Sequence, residues 1–227
     1  DITSKFYTSL YTASSTDPSC QKKILKNVKN KFTSSQREFL DAPICQEELE
    51  KAVMSLSDDK SPGLTGLPAE FYKKFWPLLK DRYLLFINHA FSSSFPVSLN
   101  TSVTTIIYKN KGELSNIANY RPISLITTDI KILSKALTNR LKPLMPAVIH
   151  KSQTAVFNRR IDHTIHLLRD LIELSNHEDL DAAFIFLDQE KAFDRVEWSW
   201  LYKTLEYFNF GNKFITYIKT LYKNAKS

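Results

Sequence analysis

The segment Phe184 to Val196, FIFLDQEKAFDRV, decides the reading of this chain, because an apolar run ends there abruptly in a carboxylate. Ala182 to Leu187 contains no polar residue and is rich in aromatic and branched side chains. Over so short a length, that composition predicts a strand buried on both faces, since a helix needs more residues. Asp188 then stands at the C-terminal edge of the strand, where the chain turns and ligands gather in open α/β architectures. A carboxylate in that place either caps the next turn or serves a hard cation such as Mg2+, which takes one or two carboxylates together with substrate phosphates. Asp194 reads differently. It stands before Glu197 at capping-box spacing, at the head of the periodic set Val196, Trp200, Leu201, Leu205 and Phe208, and so predicts a helix cap.

The chain has 227 residues, enough for a substantial core in one large domain or two modest ones. With 43% hydrophobic and 24% charged residues, no repeat and no low-complexity tract, it reads as globular and not disordered. No apolar run is long enough to span a bilayer, and the start, DITSKFYTSLY, lacks a basic region followed by an apolar one. No membrane is expected as a partner, and an intracellular protein of nucleus and cytoplasm is. Cys20 and Cys45 have no Cys or His neighbour at metal-site spacing, which points to reduced thiols rather than a zinc site or a disulfide framework. A start at Asp1 and an end at Ser227 without a terminating feature are the marks expected of a fragment. The net charge of +7 is concentrated: residues 101–160 hold ten Lys or Arg against Glu113 and Asp129. Such clustering is the footprint of a surface facing nucleic-acid phosphates, or else a solvated basic face.

Residues 1–44 read as an N-terminal extension that packs onto the main body. Leu49, Ala52, Val53 and Leu56 predict a helix over Gln46 to Leu56. The loop KSPGLTGLP follows, with a helix opened by Pro68 and a further helical face at Leu79, Tyr83, Phe86, Ile87, Ala90 and Phe91. Val103 to Tyr108 and Arg121 to Ile126 are β-rich runs about a polar loop, and predict a hairpin. It brings Lys109 and Arg121 to facing strands, where a planar fork and a compact charge together suit a triphosphate. The same two cations also fit the role of edge-strand charges that discourage aggregation. Thr128 to Leu144 predicts an amphipathic helix with Ile130, Leu133, Leu137, Leu141 and Leu144 inward, and Lys131, Lys135 and Arg140 elsewhere. Helices are also expected over Ile161 to Asn176, with solvent-facing or partly packed His163 and His166, and over Asn212 to Lys223.

Several of these stretches resemble motifs of the reverse transcriptases of non-LTR retrotransposons, the long interspersed elements. They are KSPG with a following Gly66 and AEFYKKF, where Thr65 departs from the usual Asp, then IIYKNKG, NYRPISL at Asn119 to Leu125, and NRL at Asn139 to Leu141. QTAVFNRR at Gln153 to Arg160, with Val156 in place of the usual aromatic and Asn158 in a Gly-containing turn, and DQEKAFDRV at Asp188 to Val196 complete the series in the family's order. The resemblance implies an α/β (α+β) fold: helix-rich fingers with a β-hairpin over residues 45–180 and the start of a right-hand polymerase palm over residues 181–227. It also implies RNA-directed DNA polymerase activity in the intact parent, with an RNA template, a DNA primer, deoxynucleoside triphosphates and a two-ion Mg2+ site as its partners. Asp188 would be a catalytic metal ligand, Lys109, Arg121 and Phe193 would hold the nucleotide, and Gln153 and Arg160 would contact the template. Phe193 would pack on the sugar; without the motif it reads as core. The second carboxylate motif, the rest of the palm and the thumb are expected beyond Ser227, so the fragment alone is expected to be inactive.

Two readings of other classes remain open at this point. A haloacid-dehalogenase-like phosphohydrolase also has an apolar strand ending in Asp, but wants a second Asp where Glu190 stands. A non-catalytic nucleic-acid-binding remnant would keep the basic region without a complete active site.

Overall fold

A computed structural model describes residues 2–154 and 160–227 of the chain. Its scaffold is three helices, α4 (Gln46–Met54), α5 (Ala69–Ser92) and α6 (Thr128–Leu141), following α1 (Ile2–Tyr11), α2 (Pro18–Lys26) and α3 (Ser34–Asp41). Leu49, Ala52 and Val53 of α4 pack with Tyr72, Trp76, Tyr83 and Ile87 of α5 and with Ile130, Leu133 and Leu137 of α6 in one buried cluster. These are largely the positions that helical spacing selects. The helix opened by Pro68 and the helical face at Leu79 to Phe91 prove to be one element. α5 runs through Pro77 without a break, because the single backbone bond that a proline withholds is outweighed by the burial of Trp76 and Tyr83 on either side.

Arg140 departs from its expected place off the apolar side of α6. It is only 5% exposed, and its guanidinium spends every edge on a partner. Nε donates to Glu48 Oε1 at 2.7 Å, and one terminal nitrogen to the carbonyls of Leu40 at 3.1 Å and Ala42 at 2.5 Å. The other donates to Pro43 O at 3.1 Å and closes the ion pair with Glu48 Oε2. Glu48 in turn accepts from the Cys45 backbone at 3.2 Å. Burial pushes the Glu48 carboxyl up, but the hydrogen bonds from Arg140 and Cys45 and the Arg140 charge together outweigh it and leave the pKa lowered.

Between α5 and α6 lies the hairpin, β1 (Val103–Tyr108) and β2 (Tyr120–Leu125), antiparallel with Ile107 opposite Arg121 and Tyr108 opposite Tyr120. Its base is clamped to the scaffold. Thr127 Oγ1 donates to Leu99 O at 2.9 Å and Thr128 Oγ1 to Leu67 O at 2.6 Å. The KSPG loop lies on this junction: a Cβ at Gly63 would fall 2.6 Å from the backbone of Ile126 and Thr127, so only glycine permits the approach.

After α7 (Ile161–His177), α8 (Trp198–Tyr207) and α9 (Asn212–Tyr222) fold back onto the beginning of the chain. Asp41 at the end of α3 accepts from the Phe214 amide at 2.9 Å and so caps α9. A Cβ at Gly211 would overlap that carboxylate. Phe32 donates its backbone N–H to Phe208 O at 3.0 Å, and Asn209 Nδ2 returns a bond to Phe32 O at 2.8 Å.

Two expectations from sequence are overturned here. Residues 181–189 form no strand or helix, and Ile185, Phe186 and Leu187 are exposed, Leu187 at 91%. A strand buried on both faces needs backbone partners along its edges, and the sheet among the described residues is the β1–β2 pair alone. Asp194 does not cap α8, which starts at Trp198 with Glu197 in the cap position. His163 and His166 are exposed on α7.

The Arg140 cluster predicts a large loss on truncation. Arg140→Met should lower the free energy of unfolding by about 3–5 kcal/mol, the range for breaking a buried ion pair by removing one partner. Arg140→Lys should recover little of it, since an ammonium cannot span five acceptors in a fixed fork. Urea denaturation of the three proteins checks both.

Candidate functional site

The far end of the hairpin is built by its own loop. Lys109 N donates to Asn119 O at 2.8 Å, continuing the ladder one pair beyond Tyr108. Asn119 Nδ2 donates to Glu113 O at 2.9 Å, Tyr108 Oη to Gly112 O at 2.5 Å and Tyr120 Oη to Leu114 O at 2.9 Å. Gly112 sits at φ +84°, with the Asn119 side chain where a Cβ would be. Period-2 alternation then puts Lys109 and Arg121 on one face of the hairpin, with Ile107 opposite Arg121. Arg121 is exposed. The Lys109 amine donates to Ala118 O at 2.9 Å.

Residues 190–195 form a turn in which Lys191 adopts φ +49°, and Arg195 donates its N–H to Lys191 O at 3.1 Å. Asp188 is exposed. Glu190 is paired with Arg195 at 3.1 Å. Asp194 faces the phenols of α1: burial first, and then the Asp194 charge, raises the pKa of Tyr7 and of Tyr11. Phe193 is 96% exposed, which removes the core reading of that ring. Lys109 lies close enough to Lys191 that, after burial, its charge is the next cause lowering the Lys191 pKa. The hairpin end and the turn are thus neighbours.

The donor set does not make a two-ion site by itself. Asp188 offers one carboxylate, Glu190 is committed to Arg195, and Asp194 is turned toward α1. Among the described residues no group of three or more His, Cys, Asp or Glu converges. Two cations held about 3.5–4 Å apart need several carboxylates between them.

These pieces fall within a known family. A family model described as reverse transcriptase (RNA-dependent DNA polymerase) matches residues 107–227. The chain belongs to the reverse transcriptase family. It is 40% identical over 193 residues, 84% of its length, to the transposon TX1 uncharacterized 149 kDa protein of Xenopus laevis, and covers 15% of that protein. It is 26% identical over 160 residues to the probable RNA-directed DNA polymerase from transposon BS of Drosophila melanogaster, covering 68% of this chain and 17% of the relative. Likewise it is 28% identical over 165 residues to the RNA-directed DNA polymerase from mobile element jockey of Drosophila funebris, with 68% and 17% covered. The chain therefore spans 15–17% of the length of these curated relatives. The likeness of the motifs to non-LTR reverse transcriptases is borne out, and this chain is part of such a domain. The phosphohydrolase alternative falls with that finding. Reverse transcriptases as a family use a divalent metal and a nucleic-acid template. No helix among the described residues is long and apolar enough to cross a membrane.

Of the residues read as the reverse transcriptase site, Arg121, Asp188 and Phe193 are exposed, and Lys109 is half-buried at the hairpin end. Arg160 is exposed and paired with Asp162 at 2.8 Å. Gln153 follows a turn in which its N–H donates to His150 O at 3.1 Å. Ala155 to Arg159, the middle of the QTAVFNRR motif, lie outside the described residues. Of the ten cations in the basic stretch, Arg140 is internal and does not belong to any phosphate-facing surface. Two roles were missed from sequence: Arg140, and Lys191 with its aromatic neighbours on α1. The Asp-x-Glu-Lys spelling carries no signal for the second, because Phe6 and Tyr7 stand so far away in the chain.

Phe193 being nearly free of contacts yields a direct check. Phe193→Ala should change the unfolding free energy by no more than about 0.5 kcal/mol, the range of contact-free surface substitutions. A buried Phe would lose about 3–5 kcal/mol, so thermal and urea melts separate the two plainly.

Proposed function

We propose that this chain is the nucleotide- and template-facing part of an RNA-directed DNA polymerase of the non-LTR type. Residues 45–180 act as fingers, residues 181–227 as the first part of the palm, and residues 1–44 as an extension. The observation that carries the reading is the hairpin register, which sets the exposed Arg121 opposite Ile107 with Lys109 two residues further along the same face, beside the turn of Lys191 and Phe193. Arg121 would take phosphate oxygens of an incoming deoxynucleoside triphosphate through its planar fork, and Lys109 would exchange the Ala118 carbonyl for a phosphate. Phe193 would lie against the sugar, and its exposure in a charged neighbourhood supports that role. Gln153 and Arg160 would meet the RNA template paired with its DNA primer. Asp188 would donate one carboxylate to a Mg2+ site that other parts of a longer polymerase complete.

A second reading applies to the 227 residues by themselves: they bind nucleic acid without polymerising. The engagement of Glu190 with Arg195 and the orientation of Asp194 toward α1 favour it, since Asp188 is left as a lone ligand.

Binding of the purified chain to an RNA–DNA hybrid should weaken steeply with salt, and Arg121→Ala should make the slope of log affinity against log salt shallower by about 1. In a reverse transcriptase carrying this segment, the same change should raise the nucleotide KM about 10- to 100-fold, as loss of a charge-assisted bond worth about 1.5–3 kcal/mol implies. An unchanged KM and kcat would remove the phosphate role.

Primer extension on an RNA template, with Asp188→Asn as control, tests the second reading. No extension is expected from the 227-residue chain. Template-dependent extension that vanishes in the Asn variant would mean that these residues hold a complete active site.

A further inference from the structure

The segment carrying Phe193 is met from one side by the N-terminal extension, at three points spaced three residues apart. At the first, the Lys191 amine stands 4.3 Å from the centre of the Phe6 ring and 5.5 Å from that of Tyr7. It is shielded from solvent and has no hydrogen-bond partner among the described residues. An ammonium withdrawn from water without a partner is costly, and two aromatic rings are the groups that offset the cost. Burial, and then the charge of Lys109, lowers the pKa of this amine, while Asp194 and Glu190 oppose the shift. At the second point, Asp194 faces Tyr7 and Tyr11, whose rings stack at 5.9 Å. At the third, Glu197 Oε1 accepts from Ser14 N at 2.8 Å and from Ser14 Oγ at 3.2 Å. Between the first two points Phe193 faces solvent. α1 occupies the side of the turn on which Lys191 and Asp194 lie. Lys191 itself is held in the left-handed region, which a residue with a long side chain keeps only when its surroundings impose it.

We propose that α1 is a strap that positions the 190–195 turn, with Phe6 and Tyr7 as the seat of Lys191, so that Phe193 is presented outward to the nucleotide. Phe6, Tyr7 and Lys191 are then positioning residues, and the last clause rests on the nucleotide-binding reading of Phe193. Through the strap the extension sets the pose of the ring that faces the sugar, from a helix more than one hundred and eighty residues earlier in the chain.

Hydrogen–deuterium exchange on the 227-residue chain tests the strap. Phe6→Ala and Lys191→Met should each speed exchange of the 191–196 amides by about two- to thirtyfold, the range of a cation–π contact between exposed and desolvated limits. The double variant should add little to either single one, as coupled partners require. Lys191→Arg, which keeps the cation, should restore protection, and the amides of α4 and α6 should not respond. Unchanged exchange of the turn, or full additivity, overturns the strap. The positioning role is read in a reverse transcriptase carrying the segment. There an aromatic ring against the sugar would leave no room for a 2′-hydroxyl and so exclude ribonucleotides, and Phe6→Ala should relax that exclusion in the same direction as Phe193→Val, with kcat for deoxynucleotides kept. If Phe193→Val relaxes the exclusion and Phe6→Ala does not, the positioning role is overturned. If Phe193→Val itself has no effect, the sugar-facing reading of Phe193 fails, and with it the clause that rests on it, while the exchange data decide the strap separately.

Discussion

The guanidinium of Arg140 ties together, by directed bonds, segments that the apolar core already brings near one another. Its acceptors come from the end of α3, from the loop before α4 and from α4 itself, while its own backbone belongs to α6. A buried cation of this kind is tolerable because a planar fork can satisfy several acceptors at once without leaving a donor over. The carbonyls at Leu40, Ala42 and Pro43 end a helix and open a loop, so they have no ladder of their own, and the guanidinium supplies their donors. Asp41, in the middle of this stretch, is thereby held where it can cap α9. The Arg140 cluster therefore links α3, the helical scaffold and, through Asp41, α9.

From that frame the hairpin projects as a fixed arm. Thr127 and Thr128 anchor its return strand, Gly63 lets the KSPG loop close over the junction, and Lys131 donates to Ser61 O at 3.1 Å to hold that loop down. Beneath the junction Tyr83 donates to the Asp129 carbonyl at 2.6 Å, and burial raises the pKa of the Asp129 carboxyl. The motifs that mark the family are thus of two kinds. Gly63, Asn119 and Arg140 build the support, while Arg121 stands exposed on the hairpin and Phe193 on the neighbouring turn, with Lys109 half-buried between Ala118 and Lys191. A family signature need not sit at the chemistry to be indispensable to it.

The structure also displays apolar surface that its own packing leaves uncovered. α7 buries none of its side chains among the described residues, and Ile165, Leu171 and Ile172 lie open along it. The irregular run that follows does the same with Ile185, Phe186 and Leu187. Against this, the turn beginning at Glu190 is well held, because α1 and Ser14 meet it from outside. Order in this region is imposed by long-range side-chain contacts and not by a sheet.

Helical periodicity alone placed α4, α6 and α9 and most of their core faces, since a 3.6-residue repeat of apolar side chains is a local property that survives in any context with a partner to pack on. The hairpin was equally legible, from two β-rich runs about a polar loop, as was the family, whose spelling lies in short contiguous motifs. Tertiary structure decided the rest. Arg140 looks like a surface charge in sequence because its compensation comes from carbonyls nearly one hundred residues away. The run at Ala182 to Leu187 has the composition of a buried strand, yet strand formation depends on a neighbouring backbone that composition cannot supply. Asp194 and Glu197 have the spacing of a capping box, and both were drawn instead to partners in the first fourteen residues. In each case the local pattern was outweighed by an electrostatic or hydrogen-bonding demand that exists only once distant segments are brought together.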